Sequence, residues 1–159
     1  MRFRSSLSLL LISLCGPTLA GGLTVGDLPS DYCGDDDTNL AITRAVSDGG
    51  CVLKFSGHAN DPETEADIFL DGSVIKIIRA SRSTIPGNKN KNQPSLGNRE
   101  RWTFYSLDKS TKVTLISEVI NTSCEVNSES CCGDNYDGKL TVERGADRAT
   151  ISVTYYRGG

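Results

Sequence analysis

The sequence ADIFLDGSVIKIIR, residues 66–79, carries the clearest structural signal in this chain of 159 residues. Two runs rich in β-branched and aromatic residues flank Asp71-Gly72, a pair that suits a type I′ turn because both central positions of that turn require positive φ. We predict a β-hairpin in which Ala66 to Leu70 pairs with Ser73 to Arg79. The apolar run from Val74 to Ile78 indicates a central strand with neighbours on both sides.

Similar β-rich runs, separated by Gly, Asp and Asn, continue along the chain. Trp102 to Leu107 and Thr111 to Ile120 form a second predicted hairpin, and Leu140 to Glu143 and Thr150 to Tyr156 form a third. Alternation along the second hairpin predicts five core residues: Trp102, Phe104, Val113, Leu115 and Val119.

Two interpretations fit residues 38–55. In the first, Asp37 caps a short helix from Thr38 to Ser47. In the second, Leu40 to Val46 and Cys51 to Phe55 form a hairpin whose apolar side chains face one another: Leu40, Ile42, Val46, Cys51, Leu53 and Phe55. The whole pattern predicts a mostly β fold, a single antiparallel β-sandwich or small barrel of about six to eight strands, with or without one short helix near residues 38–47.

The first 20 residues have the composition of a secretory signal peptide. Arg2 and Arg4 precede an apolar run from Leu7 to Leu14, and Thr18-Leu19-Ala20 forms a small-residue cleavage site. We therefore expect residues 21–159 to form one secreted domain, periplasmic if the source is a Gram-negative bacterium. No later apolar stretch approaches the roughly 20 residues of a transmembrane helix, so we expect no membrane span.

Five cysteines follow the signal peptide, and an oxidising compartment would allow them to pair: Cys33, Cys51, Cys124, Cys131 and Cys132. We predict that Cys33 pairs with Cys51, and Cys124 with one of the two adjacent cysteines, because each bridge would close a short loop. One cysteine is then left over. The single histidine and the lack of C-x2-C pairs argue against zinc, and we expect neither a metal nor a cofactor.

The charges of the chain are unevenly distributed. Without the signal peptide, 15 basic residues face 20 acidic ones, a net charge of −5 that argues against nucleic-acid binding. The acidic residues concentrate between Asp31 and Asp71. Residues 80–100, the basic segment, contain two prolines and two glycines and resemble a long loop between strands, and a loop of this length inside a compact domain is often functional.

We expect the basic segment and the arginines beside it to bind a partner with an acidic surface or cleft. Cationic side chains would hydrogen-bond carboxylates, and two apolar side chains would anchor the contact. The predicted partner-binding residues are Arg79, Arg82, Ile85, Lys89, Lys91, Leu96, Arg99 and Arg101.

The sequence contains no recognisable catalytic motif, which favours a non-enzymatic secreted binding protein. In size, compartment and β content it is similar to small periplasmic inhibitors and immunity proteins that neutralise cell-wall hydrolases, an analogy that rests on no motif. One alternative is a carbohydrate-binding or calcium-assisted module with aromatic stacking platforms: Trp102, Tyr105, Tyr155 and Tyr156. Another is an assembly protein that forms a homodimer through an edge strand or the odd cysteine.

Overall fold

The computed structural model describes residues 22–33, 40–56, 64–87, 95–123 and 133–158. A short 3-10 turn, Ser30–Tyr32, precedes eight strands: β1 (Ala41–Arg44), β2 (Cys51–Ser56), β3 (Glu65–Leu70), β4 (Ser73–Ile85), β5 (Arg99–Ser106), β6 (Thr111–Thr122), β7 (Gly133–Arg144) and β8 (Asp147–Gly158).

The eight strands form a closed antiparallel barrel. Each strand pairs with the next one along the chain, and β1 also pairs with β8, where Thr43 lies opposite Thr154. Closure gives each described strand a neighbour on both sides, which reduces the exposed sheet edge, although β1 meets β8 only at Thr43–Thr154 and Arg44–Val153. The prediction of a mostly β fold is confirmed, and of the two predicted architectures the chain adopts the barrel.

The hairpin of residues 66–79 forms as predicted. Asp71 and Gly72 have φ values of 49° and 84°, as a type I′ turn requires, and Leu70 lies opposite Ser73. β4 pairs with β3 on one side and with β5 on the other, which confirms its position as a central strand.

The helical interpretation of residues 38–47 is wrong for the part that the structure describes. Ala41–Arg44 is a strand, paired with β2 and β8, because Ile42 can then bury its side chain opposite Leu53. Val46 lies beyond the end of this strand and is exposed, contrary to the prediction that it faces the core. Thr38 and Asn39 lie outside the described residues.

The core fills the barrel interior with the alternate side chains of each strand. All five core residues predicted for the second hairpin are buried. Phe55 from β2 contacts Trp102 and Phe104 from β5, with ring centroids 5.0 and 5.7 Å apart. Aromatic contacts at this spacing add to the stability gained from burying the rings.

The two ends of the barrel differ. The turn end contains the tight connections of all four hairpins, and residues 22–28 lie against it: Gly26 and Leu28 donate backbone hydrogen bonds to Phe69 and Cys51. The predicted Cys33–Cys51 disulfide forms there. Cys124, Cys131 and Cys132 lie outside the described residues. The opposite end, the loop end, contains the connections β2–β3, β4–β5 and β6–β7 and the end of β8.

The basic segment is shorter as a loop than predicted. Residues 80–85 continue β4 and residues 99–100 begin β5, because the two strands keep pairing up to Ile85 opposite Arg99. Only residues 86–98 connect them. The base of this connection is held at the loop end, where Gly97 donates to the Val119 carbonyl at 2.9 Å and Ser95 donates to the Asp134 carboxylate at 2.8 Å.

Within the described residues, no helix has the length and apolar character needed to cross a membrane.

Candidate functional site

A carboxylate held by two arginines lies inside the barrel toward the loop end. Both oxygens of Glu100 accept hydrogen bonds from Arg157, at 2.8 and 3.0 Å. Arg82 donates to Oε1 at 3.0 Å, and the Trp102 indole donates to Oε2 at 2.8 Å. Each carboxylate oxygen therefore has two donors, an arrangement that offsets much of the cost of burying the charge.

Strand alternation explains why these polar side chains point inward. Glu100 is two residues from Trp102 on β5, so both side chains lie on the same face of that strand. On β8, Arg157 is two residues from the buried Tyr155, so both side chains lie on the same face. On β4, Arg82 lies opposite Trp102 of β5. The paired strands β4 and β5, together with β8 much later in the sequence, thus bring the charged groups together.

Aromatic rings form the surface on which the arginines rest. The guanidinium groups of Arg82 and Arg79 lie 4.6 and 5.5 Å from the centroid of Trp102. The Arg157 guanidinium lies 4.8 Å from the centroid of Tyr136 and also donates to its hydroxyl. Such cation–π contacts fix the positions of the arginines as well as stabilising their charge.

A second tyrosine ring packs against the Tyr136 ring. It stacks on Tyr155 with centroids 4.6 Å apart and rings within 4° of parallel. The Tyr155 hydroxyl shares a hydrogen bond of 2.7 Å with Ser117. We call the complete group the arginine cluster, and its members are Arg79, Arg82, Glu100, Trp102, Ser117, Tyr136, Tyr155 and Arg157.

The ionisable groups of the arginine cluster respond to burial and to one another. Burial acts to raise the pKa of Glu100, but the hydrogen bonds and charge of Arg157, with hydrogen bonds from Trp102 and Arg82, outweigh it, and the pKa lies below its ordinary value. Burial raises the pKa of Tyr136 to about 12 and raises the pKa of Tyr155 as well. Glu100 is therefore ionised at neutral pH and both tyrosines are neutral.

The charged groups of the arginine cluster differ in exposure. The guanidinium groups of Arg82 and Arg157 bind the carboxylate of Glu100, and that of Arg79 lies against the Trp102 ring. The Glu100 side chain is only 4% exposed, whereas those of Arg82 and Arg157 are 24% and 23% exposed. The two arginines are thus more accessible than the carboxylate that they bind, and a partly exposed guanidinium group can bind an anion.

The structure divides the predicted partner-binding residues between two faces. Arg79 and Arg82 belong to the interior cluster, because their side chains lie against Trp102. The other described residues lie elsewhere: Ile85, Arg99 and Arg101 are exposed, and Leu96 is half-buried in the β4–β5 connection. The expectation of one continuous basic loop is therefore wrong in geometry, because strand alternation sends neighbouring side chains to opposite faces. Lys89 and Lys91 lie outside the described residues.

Reasoning from the sequence missed Glu100, Tyr136 and Arg157 as site residues. The alternation of buried residues could have identified two of them. Glu100 is spaced by two residues from the buried Trp102 and Phe104, and Arg157 is spaced in the same way from the buried Val153 and Tyr155. A charged residue on the core face of a strand needs a partner of opposite charge. The pairing of these two residues could not be inferred without knowing that the barrel closes.

The proposed aromatic stacking platforms are mostly inaccessible. Trp102 and Tyr155 are buried and Tyr105 is half-buried, so that only Tyr156 exposes most of its ring. Among the described residues, no three His, Cys, Asp or Glu side chains lie close enough together to hold a metal ion.

Comparisons of this chain with protein-family models, curated proteins and solved structures find no match.

Proposed function

We propose that this protein is a non-enzymatic secreted binding protein whose loop end engages an acidic surface or cleft of a partner protein. The observation that carries the proposal is the pair of partly exposed guanidinium groups of Arg82 and Arg157, which Glu100 and the rings of Trp102 and Tyr136 hold in place at the loop end. An inhibitor or immunity-type protein that blocks an enzyme rich in carboxylates needs accessible cationic groups of this kind. The signal peptide and the Cys33–Cys51 disulfide support action outside the cytoplasm.

The arginine cluster suits rigid recognition. Glu100 and the rings of Trp102 and Tyr136 hold the guanidinium groups in place before any partner arrives, which lowers the entropy lost on binding. Arg82 and Arg157 would meet partner carboxylates directly. Arg99 and Arg101, exposed on the outer face of β5, together with Lys89 and Lys91 in the β4–β5 connection, would attract the acidic partner over longer distances.

Trp102 is the only tryptophan of the chain, so its fluorescence reports on the arginine cluster directly. We would titrate the chain from residue 21 onward with poly-L-glutamate, and with poly-L-lysine for comparison. The expected result is a saturable fluorescence change with the acidic polymer only, which weakens as salt screens the charges. No binding of poly-L-glutamate at low salt would refute the proposal.

A matched pair of variants separates the loop end from general charge. R99E/R101E and K112E/R148E change the net charge equally, but Lys112 and Arg148 lie near the turn end. We expect R99E/R101E to weaken binding about tenfold more than the control. R79Q tests the arginine cluster itself while keeping the four donors to Glu100. Equal weakening by the two charge-reversal pairs would mean that the polymer senses only net charge.

The partner enzyme can be sought by cross-linking. The chain and its R79Q variant would be mixed with secreted proteins of the source organism, and captured hydrolases would be assayed with and without the chain. We expect a hydrolase whose activity falls when the intact chain is added and falls less with R79Q. Equal inhibition by both proteins would place the contact away from the arginine cluster.

A further inference from the structure

The barrel closes along a short seam between β1 and β8, and one stretch of β8 extends beyond that seam. β1 has 4 residues and β8 has 12. Just past the end of β1, the Ala45 amide donates to the Ser152 carbonyl at 3.0 Å. Among the described residues, no strand and no backbone hydrogen bond reaches the β1 side of residues 147–151. We call residues 147–151 the open edge.

The main-chain groups of the open edge point away from the barrel wall at every second residue. In an antiparallel ladder, the N–H and C=O groups of alternate residues point to the same side of the strand. The Ser152 carbonyl points toward β1, so the main-chain groups of Thr150 and Arg148 point in that direction as well. Both residues are exposed. Their N–H and C=O groups therefore face solvent in the spacing of a ladder, which an added strand can complete.

We propose that the open edge pairs with the open edge of a second copy of the chain, antiparallel about a two-fold axis. In a two-fold contact, residue i of one copy meets residue j of the other, and the reverse contact forms too. With the axis at Ala149, Arg148 of each copy lies opposite the partner copy's Thr150. Both pairs exchange main-chain hydrogen bonds, so the free groups of Arg148 and Thr150 are all used.

The existing hydrogen bonds of β8 select this register. An axis at Thr150 instead of Ala149 would place Arg148 opposite the partner copy's Ser152. The Ser152 carbonyl already accepts a hydrogen bond from Ala45 of its own copy, and Ala45 occupies the position that the incoming strand would need. The axis at Ala149 ends the pairing at Ile151, one residue short of this contact.

The side chains of the open edge suit the same register. At the axis, two alanines meet in a non-hydrogen-bonded pair, where the strands approach most closely and small side chains fit. Asp147 lies opposite the partner copy's Ile151, so no like charges face each other directly, an arrangement that would destabilise a strand pair. The two Arg148 side chains are diagonal neighbours, and each lies 3.9 Å from Glu143 of its own copy, which offsets their repulsion.

The contact leaves the arginine cluster of each copy accessible. The open edge lies toward the turn end of the barrel, beside the β7–β8 turn, whereas the arginine cluster lies toward the loop end. Because the paired strands are antiparallel, the two loop ends point in opposite directions. A dimer would therefore carry two arginine clusters that face away from each other, but the inference does not depend on the proposed function.

Proline substitution tests the contact. T150P and R148P each remove an N–H group that points away from β7, so they leave the β7–β8 ladder intact and block only an added strand. T150A is the matched control, because it changes the side chain and keeps the N–H group. Sedimentation and light scattering over a concentration series would measure the mass, and non-reducing electrophoresis would identify any dimer linked by the odd cysteine.

We expect the unmodified chain to dimerise as its concentration rises, T150P and R148P each to weaken the dimer at least about tenfold, and T150A to leave it unchanged. Near-ultraviolet circular dichroism would confirm that each variant folds. Amide hydrogen exchange of the unmodified chain is a second measurement that needs no variant: the amides of Arg148 and Thr150 should become protected as the dimer forms. A chain that stays monomeric up to about 1 mM would overturn the inference. So would a dimer that neither proline variant weakens or that leaves both amides unprotected.

Discussion

Arg157 and Glu100 form a bidentate ion pair across the interior of the barrel, with N–O distances of 2.8 and 3.0 Å. The strands that carry them, β8 and β5, are not neighbours in the sheet. The pair therefore joins opposite walls near the loop end, where the hydrophobic core gives way to polar groups. A buried ion pair contributes less to net stability than its geometry suggests, but removing one partner alone leaves a poorly solvated charge.

Replacing Glu100 should destabilise the barrel more than replacing a surface carboxylate. E100A leaves Arg82 and Arg157 close together without their shared anion, and we expect a loss of about 3 kcal/mol in the free energy of unfolding. The matched control is E118A, which removes the exposed partner of Arg99 and should cost roughly 1 kcal/mol or less. Urea denaturation measures both, and equal losses would show that the Glu100 pair has no special structural role.

The lowered pKa of Glu100 predicts an acid-sensitive contribution to stability. Because the pKa is lower in the folded chain than in the unfolded chain, the contribution is fully present above the unfolded value of about 4.3 and disappears as the pH falls through the folded pKa. The stability difference between the unmodified chain and E100Q should therefore be constant near neutral pH and shrink below about pH 4. A difference that grows on acidification would contradict this prediction. The measurement is a series of urea transitions at decreasing pH.

Tyr136 predicts a second transition at alkaline pH. Burial raises the pKa of its hydroxyl to about 12, above the unfolded value of about 10. Stability from the neutral tyrosine is therefore present below about pH 10 and is lost as the pH rises through the folded pKa. Y136F should lose less stability than the unmodified chain between pH 10 and 12, although it lacks the contact with Arg157. Ultraviolet absorbance of the phenolate, compared in native and urea-unfolded protein, checks the titration.

Leu115 and Ile116 are adjacent on β6 but face opposite sides of the barrel wall. L115A should cost about 2–5 kcal/mol, because it opens a cavity in a closely packed core. I116A removes a side chain from the outer face and should change the stability of the monomer by roughly 0.5 kcal/mol or less. Thermal or urea unfolding of the two variants compares them. Similar losses would contradict the assigned inward and outward faces.

The Cys33–Cys51 disulfide should stabilise the segment that lies against the turn end. The two cysteines are 18 residues apart, and a bridge of this span contributes about 3 kcal/mol by restricting the unfolded chain. C33A/C51A should lose about this amount in urea denaturation. Native-state hydrogen exchange should locate faster exchange at Gly26 and Leu28, whose amides bond to strand ends. Unchanged exchange there would show that hydrogen bonding alone holds the segment.

The parts of the fold that were predictable depend on short stretches of chain. Asp71-Gly72 determines a tight turn through its own backbone preferences, and the flanking strands follow from alternation. The segment around Ile42 was ambiguous, because short apolar runs fit a helix or a strand until their neighbours are known. It became a strand because β2 and β8 both pair with it.

The candidate site was predictable only in part. Arg79 and Arg82 were identified by charge. Arg79 was expected to end a strand, but Arg82 was assigned to a loop because prolines and glycines follow it closely in the sequence. The structure places them on a strand, facing Trp102. Alternation predicts that Glu100 points inward. Its partner Arg82 comes from the neighbouring strand β4, but Arg157 comes from β8, and that second contact depends on closure of the barrel.

By itself, the sequence determined the β class of the chain, its tight hairpins, the core of the β5–β6 hairpin and the Cys33–Cys51 bridge, because each follows from contacts or preferences within short spans. Only the tertiary structure decided between sandwich and barrel and assembled the arginine cluster. Both depend on β8 meeting β1, more than a hundred residues away along the chain. Local preferences carry no information about a contact at that separation, since it forms only when all the intervening strands have packed in register.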